Sequence, residues 1–199
     1  MRFQGQLIIF FAGISILALP VEQASAQRSK RGPVGVAIDL SMGLTGSARF
    51  EERPESDALE GQFGASLSYE HKWTRWLYAG PRLEWAVARS EREDNEYSSL
   101  RVGAVVVPTW RTKRTLHLFA IGGGGASHVS RDGNYTGWGY NLLGGVGAKL
   151  PLRGMHLRFS LIYCLERIGA LEAESEFGSA ATFSDTRLSR AMLAMGAIF

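Results

Sequence analysis

Residues 157–166 read Leu-Arg-Phe-Ser-Leu-Ile-Tyr-Cys-Leu-Glu. Leu157, Phe159, Leu161, Tyr163 and Leu165 alternate with Arg158, Ser160, Cys164 and Glu166. Successive side chains of an extended chain point to opposite faces, so this stretch is a strand with one apolar face and one polar face. Moving outward, the same period returns. On the C-terminal side Leu193, Met195, Ala197 and Phe199 alternate with Arg190, Met192, Ala194 and Gly196. Before it, Trp138, Tyr140, Leu142, Val146, Ala148 and Leu150 oppose Gly139, Asn141, Gly145, Gly147 and Lys149.

Four earlier runs behave alike. Val36 to Leu44 alternates with Gly35, Ala37, Asp39, Ser41 and Gly43, and Phe63, Ala65, Leu67, Tyr69 and Trp73 oppose Gly64, Ser66, Ser68, Glu70 and Lys72. Leu77, Ala79, Pro81, Leu83, Trp85 and Val87 oppose Gly80, Arg82, Glu84 and Ala86, and Leu100, Val102, Ala104, Val106 and Trp110 oppose Ser99, Arg101, Gly103 and Thr109. Leu116 to Ser127 is apolar on both faces around Gly122 to Gly125; it reads as a further strand, bent or bulged at those glycines. Pro81 is out of place within a ladder because it has no N–H to donate. The expectation is eight strands.

Short connections fall at Thr74-Arg75, Arg111 to Thr115 and Leu152 to Gly154, while long polar ones fall at 47–60, 90–96, 131–137 and 170–185. Alternating short and long links predict an all-β, eight-stranded antiparallel up-and-down barrel with short turns at one end and long loops at the other. The polar face is rich in Gly, Ala and Ser with one or two charges per strand, too sparse a coat for a water-facing exterior and suited to a narrow lumen. Trp73, Trp76, Tyr78, Trp110 and Phe199 fall beside the short turns, and Trp85, Tyr97, Tyr135, Trp138 and Tyr140 toward the long loops. Two such belts mark membrane interfaces. The apolar face therefore looks out into lipid, and the barrel is transmembrane.

The first 26 residues read as a secretory signal peptide: Arg2, a 14-residue apolar run from Leu7 to Pro20, then Ala24-Ser25-Ala26 as a cleavage motif. That run is too short to cross a hydrocarbon core of about 30 Å as a helix. A basic linker, 27–32 (QRSKRG), leads to the barrel at 33–199. In 199 residues the charge is nearly balanced, 22 basic against 19 acidic, with no basic block, which argues against nucleic acid. Cys164 is the only cysteine, so there is no disulfide framework, cysteine zinc site or iron–sulfur cluster.

With its alternating strands and its last strand ending at Phe199, the chain resembles the small eight-stranded outer-membrane proteins of diderm bacteria, the OmpA/OmpX-type barrels. The resemblance covers about residues 33–199 and implies placement in the bacterial outer membrane. It also implies contact with outer-membrane lipids and lipopolysaccharide, and delivery by the barrel-assembly machinery through the final strand, where Ala197 is smaller than the family prefers. No peptidoglycan-binding domain is expected after Phe199. Within the family such barrels serve as stabilisers, adhesins, defence factors or lipid-modifying enzymes, and fold alone does not choose among them. Eight strands leave an interior just filled by side chains, which excludes an open porin-like pore.

Asp39, Glu70, Glu84 and Glu166 share the predicted lumen with Lys72, Arg82, Arg101, Lys149, Arg158 and Arg190. Buried charges need partners, so a carboxylate–arginine network centred on Arg82, Glu84, Arg101 and Arg158 is expected to plug the barrel, with a gated ion path as the alternative. His128 and Ser130 have the H-x-S spacing seen in outer-membrane lipid A deacylases, where histidine is the base for a serine nucleophile. Such a pair needs a third group to orient the histidine, and the next strand offers no carboxylate. His71, His117 and His156 cluster toward the short turns without the spacing of a metal site, Gly122 to Gly125 is no phosphate loop, and Cys164 is expected to be a buried inert thiol. The acidic 47–60 loop lacks the spacing of a calcium loop.

The reading is a monomeric, non-enzymatic outer-membrane barrel without catalytic, cofactor-binding or metal residues. It acts structurally or through an extracellular ligand held by loops 47–60 and 170–185. The alternatives are a lipid A-modifying enzyme using His128 and Ser130, and a soluble exported lipocalin-like carrier.

Overall fold

The computed structural model describes residues 35–51, 56–91, 95–113, 116–173 and 182–199. The expected signal peptide 1–26 and linker 27–32 lie outside them, as do the tips of the 47–60 and 170–185 loops. Eight strands follow in order: β1 (Gly35–Arg49), β2 (Asp57–Lys72), β3 (Leu77–Ser90), β4 (Glu96–Lys113), β5 (Leu116–Arg131), β6 (Tyr135–Leu152), β7 (Met155–Ala173) and β8 (Thr182–Ile198). Each pairs antiparallel with its sequence neighbours and β1 pairs with β8, giving a closed up-and-down barrel. The closing seam ends in a reciprocal pair: the Val36 amide donates to the Phe199 carbonyl at 3.3 Å and the Phe199 amide to Val36 at 3.1 Å.

The apolar face is the outer one. Met42 is 60% exposed, Val146 61% and Trp138 69%, while Asp39, Glu84, Arg158 and Arg190 are buried inside. In water this band would be an aggregation surface; its alternation with an inward polar face is the pattern of a lipid-spanning barrel. Among the described residues no helix is long and apolar enough to cross a membrane. Crossing is left to the strands.

Several expectations need correcting. Gly122 to Gly125 form no bulge. They pair without a register break to Val106–Gly103 on β4 and to Gly144–Asn141 on β6. Gly103 and Gly125 are direct partners, and a Cβ on either would strike the other strand's backbone, so glycine here lets β4 and β5 approach closely while the ladder stays continuous. The register breaks lie instead at Gly43/Thr45, Glu60/Phe63, Arg111/Lys113 and Thr136/Gly139. Pro81 faces out where the β2–β3 ladder skips from Ser68↔Arg82 to His71↔Ala79, so its missing donor costs no rung there.

The expected long link at 131–137 is a tight hairpin. The Asn134 amide donates to the Arg131 carbonyl at 3.1 Å, and Asp132 and Gly133 both take positive φ (53° and 72°), the primed-turn geometry that Asp-Gly favours. Parts of the 47–60 and 170–185 links are also ladder, through Ala48↔Asp57 and Leu171↔Phe183. Val87 keeps the outward phase expected of it, opposite the exposed Phe63, although its side chain is covered there. Tyr97, Tyr78 and Tyr135 are not belt residues: Tyr97 is fully buried, and Tyr78 and Tyr135 pack against the interior clusters.

Candidate functional site

The lumen has three levels. At the long-loop end Phe50, Leu59, Tyr97, Val129, Ile168, Leu171 and Leu188 form a buried apolar cluster with Tyr135 against it. Arg131 is buried beside it, its guanidinium 5.4 Å from the Phe50 ring centroid and 5.8 Å from that of Tyr97, within cation–π range. This cluster caps the barrel from above.

Below it runs a chain of alternating charge. Lys149 Nζ lies 3.1 Å from Glu70, whose other oxygen pairs with Arg158. Arg158 Nε reaches Asp39 at 3.4 Å, and Asp39 faces Arg82 at 3.6 Å. Arg82 Nε donates to Glu84 at 3.0 Å, Arg101 bridges Glu84 and Glu166, and Arg190 lies 3.1 Å from Glu166. Ser127 donates to Glu166, and Arg190 donates to Ser99 at 2.8 Å.

The expected network is therefore present, with Glu166 and Asp39 as its branch points beside Arg82, Glu84, Arg101 and Arg158. Lys72 does not join it; it sits half-buried at the end of β2, next to the turn. Period two identified every other member, since each has the parity of the inward face. What it missed is Ser127, a partner supplied by the strand whose phase the glycines hid. Opposite the charges, Val105, Val107, Phe119, Ile121, Ile162 and Met192 pack around Cys164, which is buried as expected.

At the short-turn end the lumen opens into a cavity of about 310 Å³ lined among others by Glu70, Lys149, Tyr78, Arg75, His117 and His156. Lys149 stands 5.2 Å from the Tyr78 ring centroid, and the His117 and His156 rings are 5.9 Å apart. His71 is not with them; it is exposed, edge-on to Trp73. Among the described residues no group of three or more His, Cys, Asp and Glu could hold a metal ion.

His128 and Ser130 share the outward face of β5, as H-x-S requires, but His128 packs against Trp138 at 4.7 Å between ring centroids. Glu166, the nearest downstream carboxylate, lies across the barrel wall, where Arg101, Arg190 and Ser127 hold it. It cannot orient His128 from there.

Beyond the apolar band, toward the long loops, the outer face becomes charged, in two different arcs. On β2–β3–β4 the cross-strand partners Glu60↔Arg89 and Arg89↔Glu96 alternate in sign. On β7–β8–β1 the partners are Arg167↔Arg187 and Arg187↔Arg49. Asp185 accepts two hydrogen bonds from Arg167, at 2.7 and 2.8 Å, and one from Arg187 at 3.1 Å. The Arg167 and Arg187 guanidiniums hold its carboxyl below the usual carboxylate range, and the hydrogen bonds of Arg167 to Asp185 and Tyr140 push the Arg167 pKa up.

Solved structures share this fold. The chain is similar to the outer membrane protein AlkL determined by solid-state NMR in DMPC bilayers (TM-score 0.53, 11% identity, over 85% of this chain and 90% of that one). It is also similar to a major outer membrane protein of Thermus thermophilus (0.51, 13%, 83% and 99%) and to the outer membrane enzyme PagL (0.50, 14%, 79% and 97%). No protein-family model matches the sequence, and no curated protein does. At such identities the likeness is one of fold, here the eight-stranded outer-membrane barrel, and that fold carries an enzyme as well as proteins not described as enzymes.

Proposed function

We propose that this chain is an integral barrel of the bacterial outer membrane, without catalytic activity, that serves as a rigid membrane scaffold and presents loops 47–60 and 170–185 to the exterior. The observation that carries this reading is the filled lumen. A continuous ion-pair chain from Lys149 to Arg190 lies under an apolar cap, so the interior is occupied by side chains that pair with one another. A conducting pore would need water-lined space along the axis, and a lipocalin-like carrier an apolar cavity inside and a polar coat outside; here the faces are reversed. A lipid-modifying activity at His128 and Ser130 is disfavoured because Trp138 packs on the imidazole and Glu166 is committed to the other side of the wall.

Fractionation tests the placement. The expected result is recovery in the outer-membrane fraction with a mobility that shifts on boiling, the behaviour of a closed barrel. A periplasmic, freely soluble chain would overturn it. In planar bilayers the purified protein should give no steady conductance, and lipid A from cells expressing it should match that from cells carrying the His128→Ala, Ser130→Ala variant.

A further inference from the structure

The arginine arc is the feature that fold stability does not account for. Arg49, Arg187 and Arg167 stand side by side on three adjacent strands, all exposed on the outer face, with Arg187 directly opposite both of the others. Like charges directly opposite one another destabilise a sheet. The other arc avoids this by alternation, Glu60–Arg89–Glu96. Asp185 supplies one carboxylate to three guanidiniums, and among the described residues it is bound to Arg167 and Arg187. The arc thus keeps an excess of positive charge with guanidinium donors turned outward.

Its height matters as much as its charge. On β7 the outward series Leu161, Tyr163, Leu165 runs directly into Arg167, and at about 3.3 Å per residue this guanidinium starts within ~7 Å of the last apolar side chain. Tyr140 on β6 is the cross-strand partner of Arg167, and the exposed Trp138 is two residues from it. Aromatic rings of this kind settle at the headgroup level. Guanidiniums there meet phosphate oxygens, which they bind with paired, charge-assisted hydrogen bonds.

We propose that the β7–β8–β1 arc is a binding site for the phosphate group of an anionic lipid headgroup in the outer leaflet, with Arg49, Arg187 and Arg167 as its ligands. The occupant is a lipid rather than a soluble anion because the wall beneath turns apolar and exposed, at once on β7 (Leu165, Tyr163) and, past the Ser47–Ser189 pair, on β8 and β1 (Leu193, Leu44, Met42), so one molecule can place its phosphate on the arginines and its acyl chains on the band. The inference rests on the membrane placement proposed above.

The test uses the full barrel reconstituted in phosphatidylcholine nanodiscs carrying a small fraction of diphosphorylated lipid A or of its dephosphorylated form, with retained lipid read by native mass spectrometry. Wild type should retain the phosphorylated lipid selectively. Arg49→Gln with Arg187→Gln should lower that retention about thirtyfold, the scale expected for removing two cations near an anionic surface. Arg89→Gln on the alternating arc should leave it unchanged. The boiling-dependent gel shift, run on each variant, confirms closure, and the single Arg187→Gln variant serves if the double one fails to fold. Equal retention of the two lipids, or no loss in the arginine variants, overturns this inference alone. Displacement by excess inorganic phosphate as effective as by lipid overturns the lipid assignment. A wild-type chain that does not insert overturns the membrane reading and this inference together.

Discussion

Arg101 and Arg167 do the same chemistry in opposite surroundings. Each guanidinium grips carboxylate oxygens, Arg101 those of Glu84 and Glu166, Arg167 both oxygens of Asp185. The Arg101 side chain is 3% exposed, however, and that of Arg167 49%. Inside the wall each charge depends on its partner, because neither can turn to water. On the rim water and salt compete for both ions, so the pair contributes little to stability and its members stay available to a ligand. Buried arginines therefore serve the fold, and exposed ones are free to serve binding.

The sharpest way to break the comparison is Glu166→Ala. It strips Arg101, Arg190 and Ser127 of a shared acceptor, and a loss of about 3–5 kcal/mol is expected for an uncompensated buried charge, read from urea unfolding in lipid vesicles by tryptophan fluorescence. Replacing Arg101, Glu166 and Arg190 together by apolar residues of similar volume should recover most of it; failure to recover would mean that the network does more than balance charge. Putting a charge on the other face is the converse. Leu161→Arg, in mid-band on β7, should cost about 2–4 kcal/mol if that face meets lipid, and next to nothing if it meets water.

Glycine gives a subtler pair. Gly103→Ala pushes a Cβ into the Gly124 and Gly125 backbone and should cost about 1–3 kcal/mol, whereas at Gly144 on the outer face a Cβ meets nothing within 4 Å, so Gly144→Ala should fall within about 0.5 kcal/mol of wild type. The smallest effect is one of pH. Hydrogen bonds from Arg167 and Arg187 depress the Asp185 pKa in the folded state, so its contribution is present above the unfolded carboxylate value of about 3.9 and is lost as pH falls through the lower folded value. Being exposed, it should add only a slight acid sensitivity below about pH 4, absent in Asp185→Asn. A wild type and variant with the same midpoints across that window would show that the rim pair does not stabilise the fold at all.

Much of this was legible in the sequence, for one reason. Strand parity assigns a side chain to lumen or lipid before any register is known, so Asp39, Glu70, Glu84 and Glu166 could be placed with their arginines from spacing alone. Where parity was set aside the reading failed. Tyr97 has the phase of Ser99 and Arg101, yet its type suggested an interfacial belt; the structure buries it in the cap. Asp132-Gly133 carried its own turn signal within a segment that polarity alone marked as a long loop. The glycine run has no side chains from which to read a phase. The arginine arc joins β7, β8 and β1, and its members become neighbours only once the register of those strands is fixed.

The ion-pair chain also has a temporal side. Its links join strands that are not adjacent: Asp39 of β1 and Glu70 of β2 meet Arg158 of β7, and Glu166 of β7 meets Arg101 of β4. A flat or half-built sheet holds these groups too far apart to neutralise one another, and lipid offers no other partner. These cross-barrel pairs therefore exist only once the ring is closed. Closure by β8 brings Arg190 to Glu166 and completes the chain.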